Sequence, residues 1–182
     1  MQYKYISDLH LYHPYSADWR PQYQDCDAFA EDLVETWNTY VADDDVIIVA
    51  GDVGSYCEST INVLKSLKGT KILVVGNHDA LWAVPQKSRG IFAGIHERIQ
   101  LGNILVEHIP DESHIHSSYY IHGHHHRYDM PGMLNALRSY YRDTYRLNCC
   151  TDLIGNKPVT LQELIVSKEV MLDNLKGIYN LE

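Results

Sequence analysis

"DVIIVAGD", residues 45–52, runs through five consecutive apolar residues and stops abruptly at Gly51 and Asp52. A strand with one wet face would alternate apolar and polar side chains. An unbroken run rich in β-branched residues instead fits a strand buried on both faces. "KILVVGNHD" (71–79) repeats the pattern and again ends in glycine and polar residues, and "YKYIS" (3–7) opens the chain with a shorter run of the same kind. Helical segments fill the intervals. In "DAFAEDLVETWNTYV" (27–41), Phe29, Leu33, Trp37 and Val41 recur every four residues, with Asp27 as the expected cap. "STINVLKSLKG" (59–69) predicts a second helix capped by Ser59 and followed by Gly69. Strand, helix, strand, helix, strand implies a parallel sheet with crossover helices.

The second half reads differently. "GIHERIQLGNILVEHIP" (94–110) predicts two strands around a Gly102–Asn103 turn. "SSYYIHG" (117–123) and "LNCCTDLIG" (147–155) predict further strands, and "TLQELIVSKEVMLDNL" (160–175) a closing helix with Thr160 and Glu163 as a capping box. No repeat, low-complexity tract or flexible linker interrupts the chain. The expectation is one domain over residues 1–182, of α/β class, with a mixed sheet divided in two.

Composition narrows the function classes. With 15 basic and 24 acidic residues, the net charge of −9 argues against a protein that tracks long nucleic acid by neutralising phosphates. A small anionic substrate is compatible if bound cations supply positive charge locally. The first fifteen residues lack the apolar core of a signal peptide, and no run nears the roughly 20 apolar residues that span a bilayer. Cys26, Cys57, Cys149 and Cys150 show no C-x-x-C spacing, so four reduced thiols in the cytoplasm are expected.

Metal-competent residues gather where the expected strands end. Asp8 and His10 follow the first, Asp52 the second, and Asn77, His78 and Asp79 the third. His108 follows the hairpin strand, and "YIHGHHHRYDM" (120–130) supplies His122, His124, His125 and His126. In open α/β sheets the carboxyl ends of strands are where sites are built. Alternation along an extended chain lets His124 and His126 face one region while His125 turns away. Gly51, Gly76 and Gly123 allow close backbone approach there.

Taken in order, "DLH", "GDV", "GNHD", "VEHIP" and "GHHH" resemble the signature of the calcineurin-like metallophosphoesterases. The likeness covers residues 3–126, and "LNCCTDLIGNKPVTLQELI" is similar to the last strand and helix of small bacterial and phage-type members. The resemblance implies a two-sheet mixed β-sandwich flanked by helices, and two divalent metal ions. One would be held by Asp8, His10, Asp52 and His126. The other would be held by Asp52, Asn77, His108 and His124, with Asp52 bridging. His78 would face the leaving group, with Asp79 orienting its ring.

Oxygen and imidazole ligands without thiolate favour Mn²⁺, Fe, Zn, Ni or Mg, with Mn²⁺ foremost. Two such ions about 3.5–4 Å apart generate hydroxide near neutral pH and clamp both the attacking and the leaving oxygen. The expected function is hydrolysis of a small, nucleotide-like phosphodiester or phosphomonoester, with Asn77 stabilising phosphoryl oxygens and His78 as general acid. The rival is a non-catalytic scaffold of the same fold. His122 and His125 are expected as neighbours, with His125 at the substrate edge. His13, His96, His114 and His116 are expected at the surface, His13 nearest the site. In residues 127–146, Pro131 can open a helix that places Arg138, Arg142 and Arg146 on one stripe and Tyr141 and Tyr145 beside it. That helix reads as a cover for a sheet edge or as a substrate wall.

Overall fold

The computed structural model of the chain describes residues 1–88, 90–111, 117–127, 133, 137–138, 140 and 143–179. Strands β1 (Tyr3–Ile6), β2 (Val46–Val49), β3 (Thr70–Val74) and β4 (Gly94–His96) form a first sheet in that order, every neighbour parallel. A second sheet runs β5 (Ile99–Leu101), β6 (Ile104–Val106), β7 (Tyr119–His122) and β8 (Arg146–Asn148). Only β5 and β6 are antiparallel; β6, β7 and β8 run together.

The first sheet explains its own sequence. Ile6, Ile47, Val49 and Leu73 pack outward against Leu33, Trp37 and Leu64 of helices α2 (Cys26–Tyr40) and α3 (Glu58–Ser66). Their alternates Tyr5, Ile48, Ala50 and Val74 pack inward against Val106, Ile121 and Leu147 of the second sheet. Period-two alternation puts one apolar set on each face, hence the unbroken apolar runs. The free edge of β1 is closed by the chain beyond β8. Tyr5 exchanges backbone hydrogen bonds with Val159, and Ser7 bonds Cys149 and Thr151.

Several local expectations shift. Asp25, not Asp27, caps α2, accepting from the Ala28 N–H at 2.8 Å, while Asp27 accepts from the Tyr12 hydroxyl. Helix α3 begins beyond Cys57 and takes Ser59 into its first turn. The Gly102–Asn103 hairpin forms between β5 and β6, but the stretch before it is two strands in different sheets, β4 and β5, with the chain crossing at Glu97–Arg98. The strand expected over 147–155 stops at Asn148, and Thr151–Ile154 is a helical turn, α4, closed at Gly155 with φ +79°. Helix α5 (Leu161–Tyr179) opens on the expected capping box: the Thr160 N–H donates to Glu163 and the Glu163 N–H returns to Thr160 Oγ1. The arginine stripe does not form as drawn. Arg146 lies in β8, buried and paired with Asp143 at 3.0 Å, and Arg138 is exposed. Pro131, Tyr141, Arg142, His114 and His116 lie outside the described residues.

Candidate metal centre

The ends of β1, β2, β3, β6 and β7 converge on one edge of the sandwich. Among the described residues five non-glycine positions have positive φ: Asp8 (+58°), His10 (+45°), Tyr12 (+53°), Asp52 (+55°) and His124 (+67°). Four of the five are expected ligands. Left-handed backbone at such residues costs about 1–3 kcal/mol each and persists where surrounding structure enforces it. Here the side chains of Asp8, His10, Asp52 and His124 gather round one centre. The elements also approach with no room to spare. A Cβ on Gly51 would lie 2.4 Å from His108 Nδ1, and one on Gly123 would lie 2.4 Å from Asp8 Oδ2.

Three groupings result among the described residues: one joins Asp8, His126 and Cys150, and the other two contain Asp52. In one, Asp8, His10 and Asp52 offer ligand atoms within 4.8 Å of one another. His10 Nε2 is 3.6 Å from Asp52 Oδ2 and 3.2 Å from His126 Nε2, itself 3.4 Å from Asp8 Oδ1. In the other, Asp52, His108 and His124 converge. His108 Nε2 is 3.2 Å from Asp52 Oδ2 and 3.0 Å from Asn77 Oδ1, which lies 3.1 Å from His124 Nδ1. Nitrogen lone pairs and carboxylate oxygens thus crowd together at distances that suit a divalent cation between them. The ring orientations fit as well. His108 Nδ1 donates to the Ala50 carbonyl at 2.8 Å, which leaves Nε2 as the ligand atom. His126 Nδ1 bonds Asp152 Oδ2 at 2.5 Å, which presents its Nε2 in the same way.

A family model for calcineurin-like phosphoesterases matches residues 1–166. The chain belongs to that family. An uncharacterized protein of Methanocaldococcus jannaschii is 28% identical over 170 residues, 88% of this chain and 87% of that one. A protein of unknown function from Aquifex aeolicus, known from its crystal structure, superposes with a TM-score of 0.65 at 22% identity, over 95% of this chain and 98% of that one. That likeness shows a shared fold.

Asp79, next to His78 in sequence, has a backbone task of its own. Its carboxylate, 0% exposed, accepts the N–H groups of Gly76, Asp52 and Val53 at 2.8, 2.8 and 2.9 Å. It thereby clamps the β2 and β3 loops together. Asp52 Oδ1 in turn accepts the His78 N–H at 2.9 Å. The His78 side chain is exposed at the mouth, edge-on to His10 and His13 with ring centroids 5.4 and 5.7 Å away.

Burial disfavours charge on both members of the His108–Asp52 pair, but their mutual hydrogen bond and charge outweigh it. His108 is lifted to about 9 and Asp52 lowered to about 2. Burial and the neighbouring His126 lower His10 to about 3. Burial raises Asp8 despite His108 and His126 nearby. A cation entering here competes with protons for the same lone pairs.

Sequence reasoning missed four contributors. Asp152 holds His126 and also receives Arg20 at 2.6 Å. Arg20, 2% exposed, donates further to the Asp8 and Leu9 carbonyls and lies 4.1 Å over the Phe29 ring, so one guanidinium joins α4 to the metal loop. Cys150 brings its thiol into the Asp8 and His126 grouping, with burial raising its pKa well above the usual value. Trp19, at the end of α1 (Ser16–Trp19), stacks on His13 and stands edge-on to His10. No local pattern marks these residues; a carboxylate behind a ligating histidine is a general expectation, but its position is not readable.

The remaining histidines separate. His13 belongs to the wall of the site, not the open surface, whereas His96 is exposed on β4. His122 is fully buried, with Nδ1 bonded to the Gly123 carbonyl. His125 packs its ring against His122 and His124. The cleft over the two groupings measures about 700 Å³, and Asn77, His78, His124, His126, Trp19 and Arg127 contribute to its lining.

Proposed function

We propose that the chain is a single-domain, dinuclear-metal-dependent hydrolase of small phosphate esters, with residues 1–182 as the catalytic unit. The observation that carries this reading is the pair of ligand groupings sharing Asp52. Asp8, His10, Asp52 and His126 would hold one ion, and Asp52, Asn77, His108 and His124 the other. Mn²⁺ suits this oxygen and imidazole set, as do Fe, Zn, Ni and Mg. When bound, two such ions supply a water acidic enough to ionise near neutral pH and positive charge for the phosphoryl oxygens.

The chain's own residues do the rest. The Asn77 side-chain amide, exposed beside His108 and His124, positions a phosphoryl oxygen. His78 stands at the mouth with its backbone pinned to Asp52, so its ring can deliver a proton to the departing oxygen. Asp79 keeps those two loops in register without touching substrate. Diester and monoester substrates share these needs. Among the described residues no helix is long and apolar enough to cross a membrane. The four free thiols suit a reducing compartment, and we place the protein in the cytoplasm.

Turnover of bis(p-nitrophenyl) phosphate tests the reading. Protein stripped by a chelator should be inactive and regain activity on addition of Mn²⁺. Tight metal binding with no turnover of this reporter, or of phosphomonoesters, would make the chain a scaffold instead.

A further inference from the structure

Three tryptophans occur in the chain, and they are not alike. Trp37 and Trp82 are 0% and 1% exposed and belong to the core. Trp19 is 43% exposed and lines the cleft. It is also held in place. His13 stacks on the indole at 26° with centroids 5.1 Å apart, the His13 carbonyl accepts from Ser16 Oγ in the same short helix, and the next residue is the buried Arg20. A large aromatic surface left open to water, yet fixed in orientation, is preorganised to stack on a flat partner. Its ring centroid lies 5.2 Å from that of His10 and 5.9 Å from that of His126, so whatever covers it sits beside the metal groupings.

We propose that Trp19 seats a nucleobase, and that the substrate is a small nucleoside phosphate ester. The base would stack on the indole while its phosphate reaches the metal groupings. This rests on the phosphoesterase reading and names its substrate class. Asp18 and Gln22, on either side of Trp19 in sequence, line the same cleft. A carboxylate there accepts from an exocyclic amino group and repels a second phosphate, which fits the base end of the molecule. The cleft, about 700 Å³, has the size of a small-ligand site, and the net charge of −9 disfavours a polynucleotide.

AMP and ribose 5-phosphate differ only by the base, and their competition against reporter turnover by the Mn²⁺-loaded protein isolates it. AMP should show a Ki lower by about tenfold or more, the usual yield of one stacked base. AMP should also quench tryptophan emission while ribose 5-phosphate does not; with the other two indoles buried, that signal reads Trp19 and needs no turnover. Trp19→Ala should bring the two Ki values together with metal content unchanged, and Trp19→Phe should keep most of the ratio. Equal Ki values in the native protein, or a ratio that survives Trp19→Ala, would overturn the base assignment alone. Failure of both ligands to bind metal-loaded protein would overturn this inference together with the phosphoesterase reading.

Discussion

The two sheets bring candidate ligands to the same edge but fix them by different means. From the first sheet come Asp8, His10, Asp52 and Asn77, and the backbone does most of the positioning. Positive φ at Asp8, His10 and Asp52 turns those side chains inward, and Asp79 gathers three amides beneath them. From the second sheet come His108, His124 and His126; His124 shares the left-handed backbone at φ +67°, but the rings of all three are set by what they meet. The Ala50 carbonyl orients His108, Asn77 faces His124, and Asp152 holds His126. Asp52 stands where the two systems meet. Backbone-set ligands occur as short local motifs, whereas ring-set ligands depend on partners far along the chain.

The largest effect should come from removing that meeting point. Asp52→Asn keeps the size of the side chain and tolerates the left-handed backbone, yet removes charge from both groupings. Turnover should fall by about 10³-fold or more, since neither phosphoryl oxygens nor nucleophile keep their full complement of positive charge. Metal analysis should show both ions loosened. Loss of one ion alone would assign Asp52 to one sheet's system.

Next comes His78→Ala, which should lower kcat by about 10²–10⁴ with metal content intact. The defect should shrink for p-nitrophenolate and other good leaving groups, which need no proton. An equal loss with every leaving group would remove His78 from general-acid duty.

Asp79→Ala probes the backbone system by itself. Three buried N–H groups would lose their acceptor, at about 1–3 kcal/mol each before relaxation. Denaturant unfolding should therefore show a loss of about 3 kcal/mol or more. Full stability in that variant would shift the origin of the loop geometry to the glycines and strand pairing.

The smallest effect belongs to the ring-set system. Asp152→Asn keeps an acceptor for His126 Nδ1 but removes the charge behind it. Metal affinity at the Asp8, His10 and His126 grouping should drop about 10–100-fold in a calorimetric titration. The ion at Asn77, His108 and His124 should be nearly unaffected, since Asp152 contacts none of those residues. Equal loss of both ions would mean that the two systems are one.

The same division governs how much could be read from sequence. The strands of the first sheet are legible because both faces are buried, so the apolar pattern alone identifies them. The strands of the second are three or four residues long, and membership depends on pairing that no local pattern encodes. Hence "GIH" reads as part of a hairpin although it completes the first sheet as β4. Cap positions slip by two residues, because Asp25 and Asp27 offer the same chemistry and the approach of Tyr12 decides between them. Candidate ligands are legible through their ordered motifs. Asp152 and Arg20, 132 residues apart, acquire their roles only on folding. The backbone task of Asp79 is hidden for a similar reason: proximity to His78 in sequence does not reveal that its carboxylate also gathers three amides.

In the proposed centre one carboxylate, Asp52, joins the two ligand systems into a single dinuclear site. Electron paramagnetic resonance of the protein titrated with Mn²⁺ tests it most directly. Two ions per chain are expected at saturation, with the exchange-coupled spectrum of a bridged pair and with turnover rising in step with it. Saturation at one ion, or two ions with the spectrum of isolated Mn²⁺, would contradict it.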